Sequence, residues 1–138
     1  MSFLPGPLRV ALSIALPVAL CSCSSSSGGS HPSSQPVIDD LTLPATFTAS
    51  GSTYTAQGTI TFHDPSAAVT GLREKIPSYN LDSTISLSGA GEQGTATIEV
   101  GFVAPSAVTS GTQVEIDISL IDANGGESNV EVEQVSVP

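Results

Sequence analysis

The 138-residue chain carries 13 acidic against 3 basic side chains, a formal charge of −10, and no tryptophan. Nucleic-acid binding needs clustered Lys and Arg to displace counterions from phosphate, so that class is excluded. Charged residues are 12% of the chain, about half the ~25% of an average soluble domain; with abundant Ser, Thr, Gly and Val, this fits strands with Thr and Ser on their wet faces.

Met1 to Leu20 has the form of an export signal: a short segment ending in the positive charge of Arg9, then the apolar run VALSIALPVAL from Val10 to Leu20. Eleven residues fall well short of the ~20 that a permanent membrane-spanning helix takes, and Pro17 shortens the run further. Cys21 and Cys23, the only two cysteines, stand where the run ends. A Cys-x-Cys disulfide is sterically awkward, and no further cysteine follows to form a disulfide framework or a thiolate metal site. The segment Leu20-Cys21-Ser22-Cys23 resembles the lipobox of bacterial lipoproteins, with Leu20 as the aliphatic position, Ser22 as the small one and Cys23 as the acceptor. Cys21 fills the tolerant position in place of the usual Ala, Ser, Thr or Val.

The resemblance implies residues 1–22 as a signal peptide, diacylglycerol thioether-linked to Cys23, and a second acylation, palmitate or similar, on the new amino terminus. Each buried CH₂ contributes about 0.8 kcal/mol, so two or three chains hold a protein durably at a bilayer. Ser24, in place of the aspartate that retains enteric lipoproteins at the inner membrane, implies the outer membrane. The alternative is an ordinary secretory signal and a secreted protein. Residues 23–36 then form the lipidated cysteine and a flexible tether, SSSSGGSHPSSQP, without apolar periodicity. Thirteen such residues span roughly 20 Å on average, and His31 is a solvated linker residue.

From Pro36 onward period-two alternation dominates. Val114, Ile116, Ile118 and Leu120 alternate with Glu115, Asp117 and Ser119, and Ala96, Ile98, Val100 and Phe102 with Thr97, Glu99 and Gly101. Strands are expected near 37–43, 54–62, 69–76, 83–88, 95–103, 113–121 and 129–137. Val130 and Val132 are out of phase with Val135 and Val137, which implies a bulge at Glu133 and Gln134. Between Asp64 and Pro77, Val69, Leu72 and Ile76 fall at helical spacing, yet Gly71 and the neighbouring strands favour a strand from Val69 to Ile76 with a short helical turn before it.

About seven short strands over residues 37–138 resemble an immunoglobulin-like antiparallel β-sandwich of the fibronectin or cadherin kind, an all-β fold. ITFHDP (Ile60 to Pro65) and SLIDANGGESN (Ser119 to Asn129) are similar to the second-strand exit and final hairpin of bacterial extracytoplasmic Ig-like modules. That topology places the two loops at one end, together with the start of the first strand and therefore the tether.

The chemistry-bearing motifs are few. GAGEQG (Gly89 to Gly94) matches a dinucleotide fingerprint but is followed by a strand rather than a helix, and reads as a hairpin turn. His63 beside Asp64 has no G-x-S-x-G elbow to serve, and Glu115 and Asp117 share an exposed strand face rather than a cleft, so no catalytic residue is assigned. Asp64, Asp122, Asn124 and Glu127, with Asp39 or Asp40, would converge at the loop end, and oxygen ligands on Gly-bearing loops suit Ca²⁺. The same residues also serve as turn caps; no other cofactor is implied.

The expectation is a membrane-anchored cell-envelope lipoprotein whose Ig-like domain is a non-catalytic binding or structural module, with a protein or glycan partner in the envelope. Alternatives are an assembly subunit joined by strand addition through an edge such as the Val-rich last strand, a calcium-dependent adhesion module, and a hydrolase using His63.

Overall fold

The computed structural model describes residues 35–138; the expected signal peptide, Cys23 and the expected tether up to residue 34 lie outside them. Eight strands form: β1 (Val37–Thr42), β2 (Thr48–Ser50), β3 (Thr53–His63), β4 (Val69–Ile76), β5 (Leu81–Ser86), β6 (Gln93–Val103), β7 (Gln113–Asp122) and β8 (Glu131–Ser136). Every strand pairing is antiparallel. In one sheet β3 is central, with β6 along one side and β1 and β2 sharing the other; the second sheet has the order β5-β4-β7-β8. The short β2 is invisible in the sequence because its three residues are all exposed and pair through backbone alone.

The alternating apolar residues become the inner faces of the two sheets. Ile60 and Phe62 of β3 and Ile98 and Val100 of β6 join Leu72 and Ile76 of β4, Val114, Ile116, Ile118 and Leu120 of β7, and Val135 of β8 in one core. Burying each such side chain contributes about 1.5–3 kcal/mol. At one end an aromatic cluster closes this layer: Phe102 lies 4.1 Å from Tyr79 and 5.0 Å from Tyr54 in stacked contacts, and 5.4 Å from Phe47 edge-on.

Residues 69–76 are a strand, and their helical spacing has a simple origin. The register of β4 against β7 shifts between Val69 and Gly71. The extra residue, Thr70, puts Val69 and Leu72 on the same side three positions apart. No helical turn precedes the strand; the one short turn, a 3₁₀ helix at Pro77–Tyr79, follows it and ends at Asn80 in the left-handed conformation, φ 52°.

Two further expectations are corrected. GAGEQG is no hairpin: it carries the chain from β5 in one sheet across to β6 in the other. The bulge expected at Glu133 and Gln134 is absent, since β8 runs in unbroken register with β7, Val135 opposite Val114, Glu133 opposite Ile116 and Glu131 opposite Ile118. Val130 and Val132 therefore stand on the outside, each 54% exposed. Glu131 and Glu133 take the inward side of this edge strand, where both remain half-buried.

The third core position of β4 is a carboxylate. Glu74 is buried between Leu72 and Ile76, and its Oε1 accepts the N–H of Gly101 in β6 at 2.8 Å, a bond that crosses from one sheet to the other. Gly101 has no room for a side chain, because a Cβ there would overlap the Tyr54 carbonyl oxygen. Burial pushes the Glu74 carboxyl up to about 7 from an ordinary 4.5, against the pull of the Gly101 N–H.

Because the folded protein holds this proton more tightly than the unfolded chain, the associated stability is complete below about pH 4.5, is lost progressively as pH rises, and is gone above about 7. At about 1.4 kcal/mol per pH unit, the loss is on the order of 3 kcal/mol. Glu74→Gln keeps the acceptor for Gly101 and removes the charge. Urea unfolding at pH 8 is expected to find the variant more stable than the parent by about 1–3 kcal/mol, with the difference shrinking towards pH 5. Equal stability at pH 8 would mean that the Glu74 carboxylate is effectively solvated.

Candidate functional site

Three loops meet at the end of the sandwich opposite the aromatic cluster. The β3–β4 loop starts at Asp64, whose N–H is donated to the Glu92 carbonyl of the β5–β6 crossover. The N–H of Val69 is donated to Gly91 O of the same crossover, and that of Ala123, in the β7–β8 loop, to Ala68 O. The crossover glycines Gly89 and Gly91 take positive φ values of 74° and 73°, which the tight path requires.

Two aspartates organise this end. Asp64, 2% exposed, accepts at Oδ1 the N–H of Ser66 (2.9 Å), its hydroxyl (3.0 Å) and the N–H of Ala67 (3.2 Å). Asp122, 4% exposed, accepts at Oδ1 the N–H groups of Asn124 (2.8 Å) and Gly126 (2.7 Å). Each carboxylate thus caps its own loop, as Asx turns do. The two side chains also lie within hydrogen-bonding reach of one another. Burial works against the charge of Asp64, but the hydrogen bonds from Ser66 and Ala67 outweigh it and hold the carboxyl below its usual range.

The other candidate residues go elsewhere. Asn124 meets Asp122 through its backbone N–H. Glu127 turns to the outer face of the second sheet, where it accepts the Ser119 hydroxyl at 2.6 Å and faces Arg73 at 3.4 Å. Arg73 donates to both oxygens of Asp82, at 2.9 and 2.8 Å, and that contact holds the Asp82 carboxyl below its usual range. Asp40 accepts the Thr42 hydroxyl at 3.3 Å. Asp39 is the extra residue of a bulge in β1, between Ile38 and Asp40, and its carboxylate lies 2.8 Å from His63 Nδ1 on the exposed side of the sheet. Among the described residues no three His, Cys, Asp or Glu side chains converge on one point.

Asn129 escaped the sequence reading, being one polar residue among many in a loop. Its Oδ1 accepts the N–H of Ile38 at 2.8 Å and its Nδ2 donates to the Ile38 carbonyl at 3.3 Å and to Glu131 at 2.7 Å. The side chain therefore pairs with β1 as a strand would and fastens the first sheet to the second.

Among solved structures, the PKD domain of an M14-like peptidase from a Thermoplasmatales archaeon aligns with a TM-score of 0.50 at 16% identity, over 78% of this chain and 99% of that domain. With two antiparallel sheets, three sheet-to-sheet crossovers and this neighbour, the architecture is settled. The domain is an immunoglobulin-like β-sandwich. No protein-family model and no curated protein matches the chain, and at 16% identity the likeness to the PKD domain concerns fold alone.

The Ig-like domain has eight strands rather than about seven, the additional one being β2. Removing the Asn129 clasp leaves the Ile38 N–H and carbonyl to water. Asn129→Ala is expected to cost about 1–2 kcal/mol, and hydrogen exchange is expected to show the Ile38 amide losing protection while Ile116 and Ile118 keep theirs. Undiminished protection at Ile38 would mean that pairing with β3 alone holds the strand.

Proposed function

We propose that this protein is a lipid-anchored module of the bacterial cell envelope, outer-membrane in location, whose Ig-like domain binds or braces an envelope protein or glycan and performs no catalysis. The observation that carries the reading is the sequence LCSC at Leu20 to Cys23, followed by a Ser/Gly tether that leads directly to β1. The polar groups of the domain support a non-catalytic role. His63 is engaged by Asp39 on an exposed face, and Asp64, Asp122 and Asn129 are engaged in loop and strand closure.

A second reading, assembly by strand addition, is favoured by one edge rather than by the last strand. Glu131 and Glu133 point inward along β8 and the segment before β2 crosses its end, where the N–H of Phe47 is donated to Ser136 O; both features resist an added strand. Among the described residues β6 pairs only with β3, over eleven register positions, so a partner strand would join there.

Intact mass of the protein extracted from its native membranes tests the anchoring. A mature chain beginning at Cys23 with diacylglyceryl and acyl mass is expected, and Cys23→Ser is expected to accumulate without lipid. An unmodified mature chain in the parent would make it a secreted soluble domain.

A further inference from the structure

The Asp64 and Asp122 carboxylates are both more than nine-tenths buried and face one another, and turn capping accounts for only half of their oxygens. Capping occupies Oδ1 of each residue. Asp64 Oδ2 is buried with no hydrogen-bond partner among the described residues, a position that favours a ligand for its charge. Asparagine would cap the same turns through its own side-chain oxygen without bringing two negative charges together. The pair therefore has a property that loop geometry does not require.

Among the described residues no lysine or arginine side chain is supplied to this pair. Arg73 is taken by Asp82 and Glu127 on the outer face. Lys75 stands opposite Asp82 and Asp117, six residues along β4 from Val69, whose register partner is Asp122; at ~3.3 Å per residue that is roughly 20 Å away. Two carboxylates brought this close are favoured by a proton or a cation between them. The opposite wall is held as well: Gly126 packs so closely on Asp122 Oδ2 that a Cβ would lie 2.7 Å from it.

We infer that Asp64 and Asp122 form a binding site for one hard divalent cation, of the Ca²⁺ or Mg²⁺ class, at the loop end of the sandwich. The two carboxylates supply the charge, and loop carbonyl oxygens and water complete the shell. Carboxylate oxygen is the ligand such ions prefer, and a site with only two of them belongs to the weak range of extracellular modules, with Kd of about 0.1–1 mM. Glu127, committed to Ser119 and Arg73, is no part of it. The site joins the β3–β4 loop to the β7–β8 loop, so an occupied site ties the two sheets together.

The experiment is thermal unfolding of the full chain at pH 7.5 in EDTA, in 5 mM CaCl₂ and in 5 mM MgCl₂, at matched ionic strength, with Asp64→Asn and Glu133→Gln beside the parent. At 5 mM and this affinity the expected stabilisation is RT ln(1 + [L]/Kd), a rise in Tm of several degrees in the parent and in Glu133→Gln with at least one of the two ions. Asp64→Asn is expected to lose that rise. Titration of the parent with the same ion, followed by NMR, is expected to move the Asn124 and Gly126 amides first, a readout that needs no variant to fold. No rise in the parent with either ion overturns the proposal, and Asp64→Asn more stable than the parent in EDTA would then show that the two carboxylates only repel one another. Equal loss of the response in Asp64→Asn and Glu133→Gln overturns it as well, since that is general screening of an acidic surface.

Discussion

The domain stands on a single apolar layer between two sheets, with no covalent staple to help it: both cysteines precede the described residues. A layer about 10 Å thick is closed along its faces by the sheets themselves but not at its ends. This molecule closes its ends by different means. At one, Phe47, Tyr54, Tyr79 and Phe102 stack over the core and exclude water by area. At the other, three loops are bound by hydrogen bonds to Asp64, Asp122 and Asn129. The first solution is non-directional and tolerates repacking. The second is directional and fails group by group.

That difference explains what could be read from the sequence and what could not. Alternation of Val114 through Leu120 and of Ala96 through Phe102 reports burial on one face, and the strands lie where it predicts, β7 at Gln113–Asp122 and β6 at Gln93–Val103. Phase breaks were harder, because a break has two causes that look alike. The odd spacing of Val69 and Leu72 is a bulge at Thr70. The odd spacing of Val132 and Val135 is an edge strand whose inner flank is open enough for Glu133. Only the position of the strand in its sheet separates them, and sheet order leaves no local trace in sequence. GAGEQG shows the same limit: its glycines announce a tight turn but not whether the chain returns to the same sheet.

The candidate site was legible as a set of loops and not as a set of contacts. Topology brought the Asp64 and Asp122 loops to one end, whereas the choice between Asp122 and Glu127 as the partner of Asp64 depended on which way each side chain leaves its backbone. Glu127 has the longer reach and finds Arg73, one of only two basic residues in the domain, across the outer face. Glu74 was hidden for the opposite reason. It occupies an inward position of β4 that alternation would give to an apolar residue, and the acceptor it provides for the Gly101 N–H ties β4 to β6 across the core.

The placement of the acidic end bears on the proposed anchoring. β1 starts at Val37, opposite His63 at the end of β3, so the tether joins the domain beside Asp64 rather than beside the aromatic cluster. If the proposed anchor at Cys23 holds, the tether would enter beside these acidic loops, and any of their charges standing farther from the bilayer than the ~8 Å Debye length at physiological salt would be screened from it. Repulsion from anionic headgroups is screened at that range and grows only when the domain settles closer. The divalent cation proposed between Asp64 and Asp122 would cancel two of the charges that oppose such an approach, so the ion that ties the loops together would also lessen the repulsion between the acidic end and an anionic surface.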